Sequence, residues 1–310
     1  MKSFYCDHFV LPLPDGHRFP MAKYARLRER IVSEGIIGAG DLHEAAPAAW
    51  PDLALVHTRG YLEDVERGTV DPAMQRRIGF PWSPPMVERA RRSVGATIQA
   101  ARAALREGAA ASLAGGTHHA FSDRGEGFCV FNDVAVAARV LRREGLARRA
   151  AVIDCDVHQG NGTAAIFAGD ADVFTFSMHA AGNFPFRKEA STLDVTLADG
   201  TGDEEYLARL AAHLPAVLDA HRPDVAFYVS GADPYVGDRF GRLALTIDGL
   251  RRRDAFVVAA CRARGIPLAV TMAGGYASDV DAIVTIHANT IREAAAAARH
   301  RPSLARPQIA

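Results

Sequence analysis

The sequence of 310 residues has few of the features that mark several large protein classes. Its four cysteines form no CxxC pair, so neither a zinc–thiolate site nor a disulfide framework is indicated, and free thiols suit a reducing compartment. These cysteines are Cys6, Cys129, Cys155 and Cys261.

Net charge and long apolar runs are absent as well. Lys and Arg number 36, as do Asp and Glu, which argues against a general electrostatic grip on nucleic acid or an anionic membrane. No run approaches the roughly 18 to 20 apolar residues of a membrane span, and the start, MKSFYCDHFV, does not resemble a signal peptide. We therefore expect a soluble cytoplasmic protein.

Alternating strand and helix patterns are what the sequence does contain. Ser83, followed by two prolines, predicts the start of a long amphipathic helix. Apolar segments predict strands at 150–156, 172–179, 224–233 and 266–276. Helical spacing predicts helices at 133–145, 203–221, 248–264 and 279–298. Apolar strands alternating with helices indicate one α/β domain with a multi-stranded parallel sheet covered on both faces.

No repeat or long linker divides the chain, so residues 1–310 are interpreted as a single domain, with 299–310 as a flexible tail. The predicted strands end in DCDVHQG, SMHAAGN, SGADP and MAGGY. Ligands of parallel α/β sheets bind outside the carboxyl ends of the strands, so these segments should converge on one crevice. The polar, glycine-rich loop at 115–133 can join them there.

Asp154, Asp156 and His158 stand at alternate positions, and they would share one face if the strand continued through them. Buried carboxylates left unpaired are costly, and a divalent cation bound by Asp156, His158 and Asp233 would relieve that cost. Three protein ligands leave a position for water, which is the catalytic arrangement. Any one of these residues taken alone could instead be a strand-end cap or a loop hydrogen bonder.

Two further features suit hydrolysis. The adjacent His118 and His119 follow two glycines, and one ring could serve as the base that takes a proton from water. Tyr276, in AGGYA, could donate a hydrogen bond to an oxyanion. The alternatives are a satisfied or surface histidine pair and a tyrosine packed in a turn.

The ordered motifs GGTHHA, GFCVFND, IDCDVHQGNGT, SGADPYVGD and AGGY resemble those of zinc-dependent histone deacetylases and their bacterial relatives. VHTRGYL, at 56–62, is similar to an earlier segment of that family, and the resemblance covers about residues 15–295. It implies the arginase/deacetylase fold. It also implies a hydrolase of N-acyl amides, most directly an N-ε-acyl-lysine deacylase.

The resemblance also implies roles for particular residues. Asp156, His158 and Asp233 would bind zinc, for which ferrous iron is the alternative metal. His119 would be the general base, with His118 as its electrostatic neighbour oriented by Asp154. Tyr276 would polarise the substrate carbonyl. The acyl-lysine channel would be lined by Gly127, Phe128, Phe184, Gly274 and Gly275. A structural K⁺ or Na⁺ would be bound by Asp154, Asp156, His158, Ser177 and Met178.

Asn161 departs from the class I pattern, in which an aspartate partners the base histidine. An amide supplies no negative charge, so His119 should be less basic than it would be beside Asp. The QGNG form is similar to class II and class IV members. The short chain and HRFPMAKYARLRERI resemble the class IV branch and its bacterial relatives.

Three other interpretations were weighed. An amidohydrolase of acetylated polyamines would favour acidic residues at the channel rim, and an inactive acyl-lysine binding module would keep the pocket without turnover. Binuclear manganese ureohydrolases need extra bridging carboxylates where this chain has Gly160 and Tyr235, so one metal is favoured. Acyl length, physiological substrate and oligomeric state stay open from the sequence.

Overall fold

Eight strands pair in parallel in this computed structural model, which describes residues 1–299. In chain order the strands are β1 (Ser3–Tyr5), β2 (Leu42–Glu44), β3 (Ala109–Ser112), β4 (Ala150–Asp154), β5 (Val173–Ala180), β6 (Leu193–Leu197), β7 (Val225–Val229) and β8 (Leu268–Thr271). They form one sheet in the order β2-β1-β3-β8-β7-β4-β5-β6. The predicted α/β fold class is therefore confirmed. Nearly all of the predicted tail lies outside the described residues.

The four predicted strands correspond to β4, β5, β7 and β8, which occupy central positions or, for β5, the position next to the edge. The other four were not predicted. Strands β1 and β2 have three residues each, and β3 has the sequence AAAS, without β-branched residues. The edge strand β6 alternates apolar and polar residues. Strands β1, β2 and β3 have little strand preference of their own, and pairing with neighbouring strands makes them strands.

Ten helices cover the sheet in the described part of the chain. They are α1 (Ala22–Ser33), α2 (Trp50–Leu53), α3 (Arg59–Arg67), α4 (Pro72–Ile78), α5 (Pro84–Glu107), α6 (Asp133–Arg143), α7 (Asn161–Ile166), α8 (Asp203–His221), α9 (Ile247–Ala263) and α10 (Val280–Arg299). The predicted start of α5 is confirmed, because Ser83 Oγ accepts the backbone N–H of Met86 at 3.2 Å.

Apolar residues fill both faces of the sheet. Val152 and Phe227 belong to the core beneath α5 and α6, whereas Ile153 and Tyr228 belong to the core beneath α1, α8, α9 and α10. Successive strand residues thus enter opposite cores, as expected for a sheet buried on both sides. Within residues 1–299 no helix is both long and apolar enough to cross a bilayer.

The carboxyl ends of β4 and β7 lie side by side, with Asp154 opposite Val229. Strand β4 ends at Asp154, two residues before the predicted end at 156, so strand alternation does not extend through Asp156 and His158. Two successive turns bring Asp156 and His158 together instead. Asp154 Oδ1 accepts the N–H of Asp156 at 3.1 Å, and Asp156 Oδ1 accepts the N–H of His158 at 2.9 Å. Aspartate side chains commonly stabilise such turns through bonds to the backbone two residues ahead.

Candidate active site

Asp156, His158 and Asp233 meet at the carboxyl edge of the sheet. Each offers one ligand atom, and these atoms all lie within 4.8 Å of one another. His158 Nδ1 is 3.0 Å from Asp156 Oδ1 and 3.3 Å from Asp233 Oδ2. Asp156 and Asp233 are almost completely buried. The three predicted residues, which come from two separate segments, therefore share one place.

Backbone groups hold the two carboxylates in position. Gly274 N–H donates to Asp156 Oδ2 at 2.9 Å, and Val157 N–H donates to Asp233 Oδ1 at 3.0 Å. A Cβ at position 274 would lie 1.8 Å from Asp233 Oδ2, so only glycine fits there. Asp233 Oδ2 is buried and accepts no hydrogen bond from any of residues 1–299. An orphaned carboxylate oxygen facing an imidazole nitrogen is the donor set that suits a divalent ion.

The pKa shifts of these residues also indicate a site that suits a positive ion. Burial alone lowers the pKa of His158, but the Asp156 and Asp233 carboxylates outweigh burial and raise it to about 10. Burial and the Asp156 charge raise the pKa of Asp233 to about 7. Both shifts have one cause, because two carboxylates buried side by side require a positive charge. Zn²⁺ or Fe²⁺ would supply that charge, so these residues fit the expected metal.

His118 lies next to this cluster and pairs with Asp154. Its Nδ1 donates to Asp154 Oδ2 at 2.7 Å, and its Nε2 lies 3.8 Å from Asp156 Oδ1. Burial lowers the pKa of His118, but the charges of Asp154 and Asp156 raise it to about 9. The two carboxylates therefore favour the protonated form of His118, and the bond to Asp154 orients its ring.

His119 pairs with an amide instead. Its Nδ1 donates to Asn161 Oδ1 at 2.7 Å, and Asn161 Nδ2 donates to Glu126 Oε1 at 2.6 Å. Burial lowers the pKa of His119 well below its usual range, and the nearby His118 and His158 lower it further. A neutral imidazole with a hydrogen on Nδ1 has its lone pair on Nε2, as a proton acceptor requires.

Tyr276 reaches the same place from the segment after β8. Its backbone N–H donates to Asp238 Oδ2 at 2.6 Å, and its carbonyl accepts from Arg239 Nε at 2.6 Å. Its ring lies against Phe128 and Phe240, with centroids 5.8 and 5.0 Å away. Burial and the Asp233 and Asp156 charges raise the pKa of Tyr276 well above its usual range, so its hydroxyl keeps its proton.

The sequence did not indicate three residues that hold the backbone at Tyr276 and just before it. Asp238 and Arg239 bond to the backbone of Tyr276 itself. The third, Lys23, is a buried cation whose Nζ donates to Ala273 O at 3.1 Å and Gly275 O at 3.3 Å. Burial lowers the pKa of Lys23 to about 8. The buried face of α1, which includes Leu27 and Ile31, could have revealed Lys23, because it lies four and eight residues before them.

A cleft of about 440 Å³ leads to His119, His158 and Tyr276. Three of the predicted channel residues, Gly127, Phe128 and Phe184, line it, and the Phe184 ring lies 4.9 Å from that of His119. Gly274 lines a smaller cavity behind the cleft, whereas Gly275 lines neither space.

Charge and apolar surface at the cleft mouth could not be located from the sequence. Among the described residues that line it, three are arginines and none is acidic: Arg77, Arg239 and Arg242. Arg242 pairs with Asp199 at 3.0 Å. Phe186 also lines the cleft and has 86% of its surface exposed.

Strand β5 carries the residues predicted to bind a monovalent cation. Ser177 lies opposite Asp154 in the sheet, and Met178 is the next residue of the strand. Both are buried, and Ser177 Oγ is 2.9 Å from His179 Nδ1. The structure therefore places the predicted segment beside Asp154, and the cation site itself stays a prediction.

Known proteins similar to this chain share both its sequence and its fold. The family model described as "Histone deacetylase domain" matches residues 17–291. An uncharacterized protein of Picosynechococcus sp. is 45% identical, with 91% of this chain and 94% of that protein covered. The "Histone deacetylase-like amidohydrolase" of Pseudomonas aeruginosa is 33% identical, with 86% of this chain and 74% of that protein covered.

Among solved structures, the crystal structure of an HDAC homologue complexed with SAHA superposes with a TM-score of 0.80. It has 25% sequence identity, and the match covers 94% of this chain and 84% of that chain. The family model spans the strand ends, the loop with the paired histidines and the AGGY segment. This chain therefore belongs to the histone deacetylase family, a family of hydrolases.

Proposed function

We propose that this chain is a metal-dependent hydrolase of N-acyl amides whose substrate is an N-ε-acyl-lysine. One observation carries the proposal: three side chains that could hold a metal ion lie together, and one of them, His158, lines a cleft with aromatic walls beside His119 and Tyr276. The four carbons of a lysine side chain need such an apolar channel between the peptide and the acyl group.

The roles of the residues follow from their surroundings. A zinc ion bound by Asp156, His158 and Asp233 would polarise the acyl carbonyl and make water acidic. His119 accepts the proton of the attacking water at Nε2, because its Nδ1–H is donated to Asn161. The same histidine can then deliver that proton to the leaving amine. The neutral Tyr276 hydroxyl donates to the developing oxyanion.

His118 has a different role in this scheme. Its charge is balanced by Asp154, so it is not suited to accept a second proton. It supplies a positive field beside His119 and helps to keep that imidazole neutral. The Asp154 and Ser177 neighbourhood would hold the K⁺ or Na⁺.

The alternatives are less well supported. Arg77 and Arg239 in the cleft would repel a polycationic acetylpolyamine, whereas they suit peptides with acidic residues near the acyl-lysine. An inactive binding module would have no use for a neutral histidine with an oriented Nε2 beside the metal ligands. Both alternatives make different predictions in one assay.

Turnover by zinc-loaded protein should be compared for acetyl-lysine peptides, long-acyl-lysine peptides and acetylated polyamines. We expect hydrolysis of an acyl-lysine peptide, with Tyr276→Phe retaining zinc and losing activity by ~10² to 10³. Tyr5→Phe, which removes a hydroxyl outside the cleft, is the matched control. Turnover of polyamines alone would favour the first alternative, and no turnover with zinc or ferrous iron would favour the second.

A further inference from the structure

The carboxylate of Glu126 lies on the far side of Asn161 from His119. Asn161 accepts from His119 Nδ1 with one end of its amide and donates to Glu126 Oε1 with the other, over 2.7 and 2.6 Å. Glu126 is half-buried, whereas Asn161 and His119 are buried. These three side chains form a hydrogen-bonded network that runs from Glu126 through Asn161 to His119, the proposed base.

The orientation of the Asn161 amide decides whether this network can hold a hydrogen on His119 Nδ1. An amide has one donor end and one acceptor end, whereas an ionised carboxylate only accepts. With Glu126 beside Nδ2, Oδ1 must face His119. The reversed amide would set two acceptor oxygens against each other at the 2.6 Å contact, which is unfavourable. Glu126 therefore selects one of two orientations.

The orientation of the amide in turn selects the His119 tautomer. When Asn161 Oδ1 faces the ring, His119 Nδ1 carries the hydrogen, and His119 Nε2 keeps its lone pair. If Asn161 Nδ2 faced the ring instead, His119 Nδ1 would have to accept its hydrogen bond. The ring hydrogen would then lie on Nε2, and Nε2 could no longer take a proton. An aspartate at position 161 would need no such selection, because both of its oxygens accept.

We propose that Glu126 is a positioning residue that fixes the Asn161 amide and thereby holds His119 in the tautomer that can accept a proton. This inference rests on the proposed function of His119. It identifies what compensates in this chain for an amide where class I relatives have a carboxylate.

The backbone around Glu126 keeps its carboxylate in place. Cys129 N–H donates to Glu126 O at 2.9 Å and closes the turn. Within that turn, Gly127 N–H donates to Arg77 O at 2.9 Å, and Phe128 N–H donates to Ile78 O at 2.8 Å. The turn that forms one wall of the cleft therefore also delivers Glu126 to Asn161.

The kinetic test removes Glu126 in two backgrounds of zinc-loaded protein. Glu126→Ala should lower kcat by roughly tenfold and leave KM and zinc content unchanged, which is the usual effect of losing a residue that orients a ligand or base. In an Asn161→Asp background, adding Glu126→Ala should cost no activity. Asp123→Asn, in the same loop at a side chain 59% exposed, is the control and should retain wild-type kcat.

A second readout does not depend on turnover. The ¹⁵N NMR signals of the His119 ring, assigned by their loss in His119→Gln, should report hydrogen on Nδ1 in the wild type. In Glu126→Ala, signal should shift toward the form with hydrogen on Nε2. If no acyl-lysine is hydrolysed, the proposed function fails, and this spectrum still decides the role of Glu126.

Three results would each overturn the inference. They are wild-type kcat in Glu126→Ala, an equal loss in the Asn161 and Asn161→Asp backgrounds, and an unchanged His119 tautomer. The combination of a loss confined to the Asn161 background and a changed tautomer would support it.

Discussion

Two neighbouring histidine pairs in the site have the same hydrogen-bond geometry, but one histidine is favoured in its protonated form and the other in its neutral form. His118–Asp154 and His119–Asn161 are each joined through Nδ1 by a 2.7 Å bond, and all four residues are buried. The carboxylate raises the pKa of His118 to about 9 against the effect of burial, whereas burial and the adjacent positive charges leave His119 neutral. The two partners differ by one atom, an oxygen in Asp154 and a nitrogen in Asn161, and they favour different protonation states of the two rings.

This comparison shows that adjacency in sequence does not imply the same role. His118 and His119 occupy consecutive positions, but their partners come from different elements, the end of β4 and the start of α7. The partner determines both the charge and the tautomer of each ring. Five variants can break or sharpen the contrast.

The largest effect should come from removing a ligand next to both pairs. Asp233→Ala deprives the ion of a carboxylate, so zinc measured by metal analysis should be lost together with turnover, a decrease of roughly 10³ or more. Asp224→Asn, just before the opposite end of β7, should retain both. Stoichiometric zinc in Asp233→Ala would contradict the proposed ligand set.

Replacing each histidine tests the division of roles directly. His119→Gln should lower kcat by ~10³, because the proton acceptor is lost. His118→Gln should cost only about tenfold, because it removes a charge that supports the reaction but accepts no proton. Equal losses in the two variants, at unchanged zinc content, would remove the distinction between the pairs.

Converting the second pair into the first should shift the pH dependence. In Asn161→Asp combined with Glu126→Gln, a carboxylate faces His119 and favours its protonated form, so its pKa rises. A base works only when unprotonated, so the acidic limb of kcat/KM should move to higher pH by about one to three units. Glu126→Gln alone is the control. An unmoved acidic limb would show that His119 does not control it.

The smallest effect should come from Lys23, a buried cation outside both pairs. Its pKa of about 8 lies below the 10.5 of an exposed lysine, so the unfolded chain binds the proton more tightly than the folded chain. Stability should therefore rise with pH between these values. Relative to Lys23→Met, the wild type should gain about 2 kcal/mol of unfolding free energy from pH 7 to 9.5.

Urea unfolding at the two pH values measures this gain. Lys2→Met, at a partly exposed lysine paired with Glu107, is the matched control and should show little change. A stability difference between wild type and Lys23→Met that is independent of pH would show that Lys23 is not held as a buried cation.

Much of the fold could be predicted because its signals are local. Long apolar segments predicted β4, β5, β7 and β8, and Ser83 with two prolines predicted the start of α5. Strand β3 could not be predicted, since four small residues have no strand preference of their own, and pairing with β8 makes them a strand. The predicted end of β4 at residue 156 was wrong, because a turn replaces the strand after Asp154.

The candidate site likewise contains residues that a local motif indicated and residues that only packing brings together. Motif order indicated Asp156, His158, Asp233, His119 and Tyr276, because their residue types and flanking glycines can be read from the chain. Glu126 and Lys23 carry no such motif. Glu126 is 35 residues from Asn161, and Lys23 is 250 residues from Ala273, so packing alone makes them neighbours.

The amino-acid sequence by itself determined the fold class, the family and the set of candidate residues, because hydrophobic periodicity and motif chemistry act over short stretches of chain. Only the tertiary structure decided how the Asn161 amide is oriented, that Glu126 and Lys23 lie beside the site, and what charge surrounds the cleft. Hydrogen bonds and charge interactions depend on distances of a few ångströms, and folding brings residues from distant segments within that range.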